Sequence, residues 1–227
     1  MIPGLLLFFL VAAADWLAVA KGWKRLEYLA KPGAMLVLLG LLTLDGGFAS
    51  LPLTCFWAGI FLSLLGDVFL MVSYARLSNR WFLAGLACFL LVHVAYAIGL
   101  NIPLSGIPVL WGLGVALVLA LTACRLLGRI LAGVRAKGLR RLVAPVAAYG
   151  MVITLMLLSA LLTLCRTDWK PSAAGLAALG AGLFFLSDVL LAWNRYVTPV
   201  RKGRLLNMIA YHLGQAALVA GCILQFR

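Results

Sequence analysis

The feature that most limits what this chain can become is a succession of apolar runs, each about as long as a bilayer is thick. A helix needs about 20 apolar residues to cross hydrocarbon, and only helices and closed barrels satisfy their backbone there. The runs are too long and too uniformly apolar for the alternating strands of a barrel. The expected fold class is all-α: a polytopic membrane protein forming a single transmembrane domain over residues 1–227. Eight helices are placed at about 3–20, 32–49, 51–72, 81–100, 107–127, 142–165, 173–193 and 205–225. Composition excludes the soluble classes, since 65% of residues are hydrophobic and only 11% charged, whereas a soluble globule carries roughly a quarter. Five cysteines without a CxxC pair give no metal or disulfide framework. The N-terminal run lacks a basic segment before it, so it reads as a first spanning helix that stays.

The net charge of +13 would suggest nucleic acid in a soluble chain; here its distribution gives another reason. Lys21, Lys24, Arg25 and Lys31 fall between helices one and two, and Arg76 and Arg80 between three and four. Arg125, Arg129, Arg135, Lys137, Arg140 and Arg141 fall between five and six, and Arg195, Arg201, Lys202 and Arg204 between seven and eight. Of the 19 basic residues, only Arg166, Lys170 and Arg227 lie on the opposite side. This is the positive-inside asymmetry, with both termini outside the cytoplasm and a basic rim facing anionic lipid. An odd number of spans would scramble it. No nucleic-acid partner and no obligatory protein partner is inferred. Short loops and the strong basic bias point to a bacterial inner membrane, with an animal endoplasmic reticulum protein as the alternative.

Polar residues within the spans carry the functional signal. Of six acidic residues, Glu27, Asp45 and Asp168 fall in or beside loops, and Asp15 lies near the inner end of helix one. Asp67 and Asp188 sit inside apolar helices, where an ionisable group costs roughly 2.5–3.5 kcal/mol and usually faces the bundle interior. Each lies five residues before the inner end of its helix, about 7–8 Å below the cytoplasmic edge. Tyr149 and Tyr211 enter from the same side to about 9–11 Å. His93 is deeper, and Lys31 and Asn194 stand at the rim. Six helices thus contribute to one polar layer, as a cavity open to that leaflet would require.

Helical faces agree with this layer. Gly59, Ser63, Gly66 and Asp67 share a stripe, as do Gly180, Phe184, Ser187 and Asp188. Small residues beside each aspartate allow close helix approach. Gly85, Phe89, His93 and Tyr96 line one side of helix four; Asn207, Tyr211 and Gln215 line helix eight, with His212 turned away as a structural residue. Leu65-Gly66-Asp67-Val68-Phe69-Leu70 also matches Leu186-Ser187-Asp188-Val189-Leu190-Leu191 at an offset of 121. Two similarly oriented four-helix halves would bring the aspartates together about an axis along the membrane normal. No HxxxH or HxxE spacing supports a metal site, and no cofactor is called for.

Six spaced elements together resemble the YhhN-like lysoplasmalogenases, eight-span hydrolases of bacteria and animals. They are Lys31-Pro32, Leu65-Gly66-Asp67, His93-Val94-Ala95-Tyr96, Ala147-Ala148-Tyr149, Leu186-Ser187-Asp188-Val189-Leu190-Leu191-Ala192 and Tyr211-His212-Leu213-Gly214-Gln215. The resemblance implies hydrolysis of the vinyl ether bond of 1-alkenyl lysophospholipids to a fatty aldehyde and glycerophosphocholine or glycerophosphoethanolamine, without a cofactor. Protonating the vinyl β-carbon creates an oxocarbenium ion, water adds, and the hemiacetal collapses. That chemistry wants one neutral carboxylic acid and one carboxylate, as two carboxyls titrating as a pair supply.

Asp67 and Asp188 are the expected acid/base pair, with the assignment between them open, and His93 the third catalytic residue. Tyr96, Tyr149, Ser187, Tyr211 and Gln215 would position water or orient the pair, and Lys31 and Asn194 would meet the headgroup of the lysophospholipid substrate. Two other readings use buried acids. An intramembrane aspartyl protease wants Gly-x-Gly-Asp, but Leu64 occupies the first glycine position and Ser187 precedes Asp188. A proton-coupled small-molecule transporter fits eight spans and two buried aspartates, but shows no Gly/Pro-interrupted pair of helices in the two halves.

Overall fold

The computed structural model describes residues 1–76, 79–103 and 109–227. Among them are eight helices long and apolar enough to cross a membrane, and no strands. They are α1 (Ile2–Lys21), α2 (Lys24–Leu44), α3 (Leu51–Arg76), α4 (Asn79–Leu100), α5 (Val109–Ala136), α6 (Val143–Thr163), α7 (Pro171–Tyr196) and α8 (Gly203–Phe226). Residues 107 and 108, where the fifth helix was expected to begin, lie outside the described residues.

Local chemistry accounts for several boundaries. Gly22 takes the left-handed conformation (φ 71°) that ends α1, and Pro171 opens α7 where its missing N–H has no helical partner to lose. The second helix departs most from expectation. It begins eight residues earlier than residue 32 and ends five before 49, so Lys24, Arg25 and Lys31 are helical rather than loop residues. Two of the three charges that make this segment look like a loop, Lys24 and Lys31, have carboxylate partners. Lys24 pairs with Glu27 one turn on at 3.4 Å, Arg204 reaches Glu27 from α8, and Lys31 pairs with Asp67. At the other end, Asp45 caps α2 and Gly46 turns the chain at φ 91°. The fifth helix runs past residue 127 to Ala136, carrying Arg125, Arg129 and Arg135 on its outer surface. Such side chains lay their stems along apolar surface and extend the charge to water.

The most extensive interfaces join α3 to α4 and α7 to α8. Glycines let α7 and α8 touch through their backbones. A Cβ on Gly180 would lie 2.6 Å from the Leu218 nitrogen, and one on Gly214 would lie 2.9 Å from the Gly180 oxygen. Buried residues concentrate in α8. The fifth helix is the opposite: it touches α6 and α7, and no residue from 110 to 129 is buried. Trp16 of α1 donates to His212 Nδ1 of α8 at 3.0 Å, so His212 helps dock the first helix onto the last.

Candidate active site

Asp67 and Asp188 line one cavity of about 590 Å³, within the usual range of small-molecule sites. The remaining wall is mainly apolar, with Leu86, Phe89, Leu126, Ile130 and Ile153 among its members. The two carboxylates share this cavity, but their first contacts differ.

Asp67 is 1% exposed and both of its oxygens are engaged. Lys31 Nζ stands 2.9 Å from Oδ1, and Tyr211 Oη donates to Oδ2 at 2.8 Å. Three helices supply this cluster: α2 the cation, α3 the acid, α8 the hydroxyl. Lys31 is itself buried, so the pair lies in low dielectric, where attraction is strong and separation expensive.

Asp188, on α7, is less deeply enclosed, its side chain 14% exposed. Tyr149 of α6 donates to its Oδ2 at 2.5 Å, and His93 Nε2 of α4 stands 3.1 Å from the same oxygen and 2.9 Å from the Tyr149 hydroxyl. With its proton on Nε2 the imidazole donates toward the carboxylate, leaving the buried Nδ1, which has no partner among the described residues, as an acceptor. Among the described residues nothing hydrogen-bonds Asp188 Oδ1. The Phe184 ring fills the space between the two clusters, 4.8 Å from His93 and 5.4 Å from Tyr211 between ring centroids.

The other expected site residues divide by position. Lys31, Tyr149, Ser187, Asn194 and Tyr211 line the cavity with the two aspartates. His93 touches Asp188 and Tyr149 from behind the wall. Tyr96 and Gln215 lie farther back in a buried chain. The Tyr96 hydroxyl donates to Gln215 Oε1 at 2.6 Å, and Gln215 Nε2 donates to Ser63 Oγ at 2.8 Å. Ser63 precedes Asp67, and Gln215 follows Tyr211, by one helical turn. This chain therefore fixes α3, α4 and α8 directly beneath the Asp67 cluster. Tyr96 also fills the space where a Cβ on Gly59 would sit, 2.1 Å from the ring. Asn194 turns inward to its own loop, its Oδ1 accepting from the Val200 N–H at 2.6 Å.

Several cavity residues fall outside the expected site set, although Asn207 is already on the polar face of the eighth helix. Asn207 donates to the Ser187 carbonyl at 2.6 Å and to Ser187 Oγ at 3.0 Å, binding α8 to α7 beside Asp188. Its place one turn before Tyr211 was the available signal. Glu27, one turn before Lys31, lines the mouth, as do Arg195, Lys202 and Arg204. Their apparent assignment to loops hid them.

Three curated proteins share part of this sequence. Lysoplasmalogenase TMEM86B of Homo sapiens is 34% identical over 83 residues, covering 36% of this chain and 32% of that protein. Lysoplasmalogenase TMEM86B of Rattus norvegicus is 34% identical over the same length, covering 36% and 31%. The matched segment thus spans about a third of these relatives' length. No solved structure matches the chain. The sequence model of the YhhN family matches from residue 26 to residue 222, through α2 to α8 and both aspartate clusters, and the chain belongs to the YhhN family.

Proposed function

We propose that this protein is a lysoplasmalogenase, hydrolysing the vinyl ether bond of 1-alkenyl lysophospholipids to a fatty aldehyde and a glycerophosphoalcohol. The observation that carries the reading is one largely apolar cavity bearing two carboxylates in unlike surroundings. Membership of the YhhN family and the partial likeness to lysoplasmalogenases support it.

Asp188 is the proton donor in this scheme, because its Oδ1 remains available to substrate while Tyr149 and His93 hold Oδ2. It protonates the β-carbon of the vinyl ether, and positive charge appears on the adjacent carbon and its oxygen. Asp67, ion-paired to Lys31 and fully engaged, supplies fixed negative charge across the cavity that stabilises this cation without moving. Water adds to the oxocarbenium carbon and returns a proton to Asp188, and the hemiacetal then collapses to aldehyde and alcohol. Ser187 and Asn207 hold the α7 backbone beside the acid, and Tyr96 and Gln215 keep α3, α4 and α8 in register beneath it. Lys31 and Asn194 frame the polar end, where the headgroup enters, and the alkenyl chain occupies the apolar part. In this reading the cavity mouth faces the cytoplasm in a bacterial inner membrane, with both termini outside, and the basic bias of the loops near that mouth supports the orientation.

The test is aldehyde release by the detergent-purified protein from 1-alkenyl lysophosphatidylcholine and its 1-acyl counterpart. Aldehyde from the alkenyl lipid alone, reduced at least about 100-fold in Asp188→Asn and in Asp67→Asn, is the expected result. No aldehyde from folded wild-type protein overturns the reading and turns attention to proton flux in liposomes. Full activity in both folded variants overturns the roles of the aspartates.

A further inference from the structure

Four cations line the cavity, and two of them have carboxylate partners there: Lys31 with Asp67 and Arg204 with Glu27. Among the described residues Arg195 and Lys202 have none. We propose that Arg195 and Lys202 form a phosphate subsite at the cavity mouth, selecting a substrate that carries a phosphorylated headgroup over a neutral ether lipid. The proposal deepens the lysoplasmalogenase reading and rests on it.

The spacing along α7 fits that role. Arg195 follows Asp188 by seven residues, almost two full turns, so both project from nearly the same face about 10 Å apart along the axis. Helical side chains lean toward the N-terminus, which brings the guanidinium back toward Asp188. In a 1-alkenyl lysophospholipid about seven bonds separate the vinyl β-carbon from phosphorus, roughly 8–9 Å when extended, given bonds of ~1.5 Å. A lipid whose β-carbon meets Asp188 therefore places its phosphate within reach of Arg195. That arginine is held at the wall, its guanidinium carbon 3.8 Å from the centre of the Phe82 ring, and Phe82 lines the cavity too. Stacking on an aromatic face leaves the planar edge of N–H donors free for bidentate phosphate recognition. Lys202, exposed at the cap of α8, adds a second cation from the neighbouring helix. The apolar remainder of the cavity fixes the polarity: phosphate at the mouth, hydrocarbon within.

Binding of non-hydrolysable 1-alkyl lysophosphocholine and of 1-alkylglycerol, measured by calorimetry on detergent-solubilised full-length protein, tests the subsite independently of turnover. Wild type should bind the phospholipid at least about tenfold tighter than the glycerol ether. Arg195→Gln/Lys202→Gln should erase that preference through a roughly 10–100-fold loss for the phospholipid alone. Retained binding of 1-alkylglycerol shows that the variant is folded and its apolar cavity intact. No preference in wild type, or an unchanged preference in the variant, overturns the proposal even where aldehyde release succeeds. Inorganic phosphate that binds alone as tightly as the lipid reassigns the cations to free phosphate and overturns it as well.

Discussion

Replacing Lys31 by methionine should be more damaging to folding than replacing Lys31 and Asp67 together. In the single variant the Asp67 carboxylate stays in a site 1% exposed, supported by the Tyr211 hydroxyl after losing a cation 2.9 Å away. Removing one partner of a buried ion pair costs about 3–5 kcal/mol. At about 2–4 °C per kcal/mol for a chain of this size, Lys31→Met lowers Tm by about 6–20 °C. Adding Asp67→Asn removes the isolated charge, and the amide oxygen still accepts from Tyr211. The new amide N–H₂ lacks a counterpart for the lost cation and costs about 1–3 kcal/mol. The net recovery is about 2 kcal/mol, or at least about 4 °C. Thermal unfolding of wild type, both single variants and the double variant in one detergent, followed by tryptophan fluorescence, measures the cycle. If the double variant melts no higher than Lys31→Met, the two residues do not act as a buried pair and the argument fails.

Tyr149→Phe removes the 2.5 Å bond to Asp188 while preserving the ring. Loss of a hydrogen bond to a charged group, about 1.5–3 kcal/mol, should lower kcat for aldehyde release about 10–150-fold with little change in KM; an unchanged kcat would detach Tyr149 from the acid. A second comparison separates two glycines of α7. Gly180→Ala forces a methyl against the α8 backbone, at a cost of about 1–3 kcal/mol, and should lower Tm by about 2–12 °C. Gly182→Ala meets nothing within 4 Å and should leave Tm unchanged or raise it; equal effects at both sites would refute the close α7–α8 contact.

How far the sequence reveals this arrangement depends on the range of the interaction. Apolar length and basic asymmetry are local properties, and they located eight helices without aid from tertiary structure. The inward faces of α3, α7 and α8 follow from helical period, so Asp67, Asp188, Tyr211 and Gln215 could be grouped before any coordinate was known. Pairings across the chain could not. Lys31 counted as a loop charge because hydropathy registers an ammonium without registering the carboxylate 36 positions on that accompanies it. Tyr96 and Gln215 are 119 residues apart, and their hydrogen bond places them behind the cavity wall rather than in it. Arg195 and Lys202 were legible as topology signals but not as cavity residues, since the positive-inside pattern does not tell which rim side chains fold back over a void.

The contrast between α5 and α8 sets unequal terms for sequence drift. From 110 to 129 the fifth helix presents no buried residue, so most substitutions there change only the free energy of partition into lipid. Exchanges among Leu, Ile, Phe and Val then differ by a few tenths of a kcal/mol, well inside what a folded chain tolerates. In α8 the same exchanges would be judged by shape, against α1, α2, α3 and α7 at once. A population of such proteins under selection for folding and activity together would scatter along α5 and stay narrow along α8, with Ala123, Leu126, Leu127 and Ile130, where the fifth helix roofs the cavity, as the points on it held by fit to a ligand.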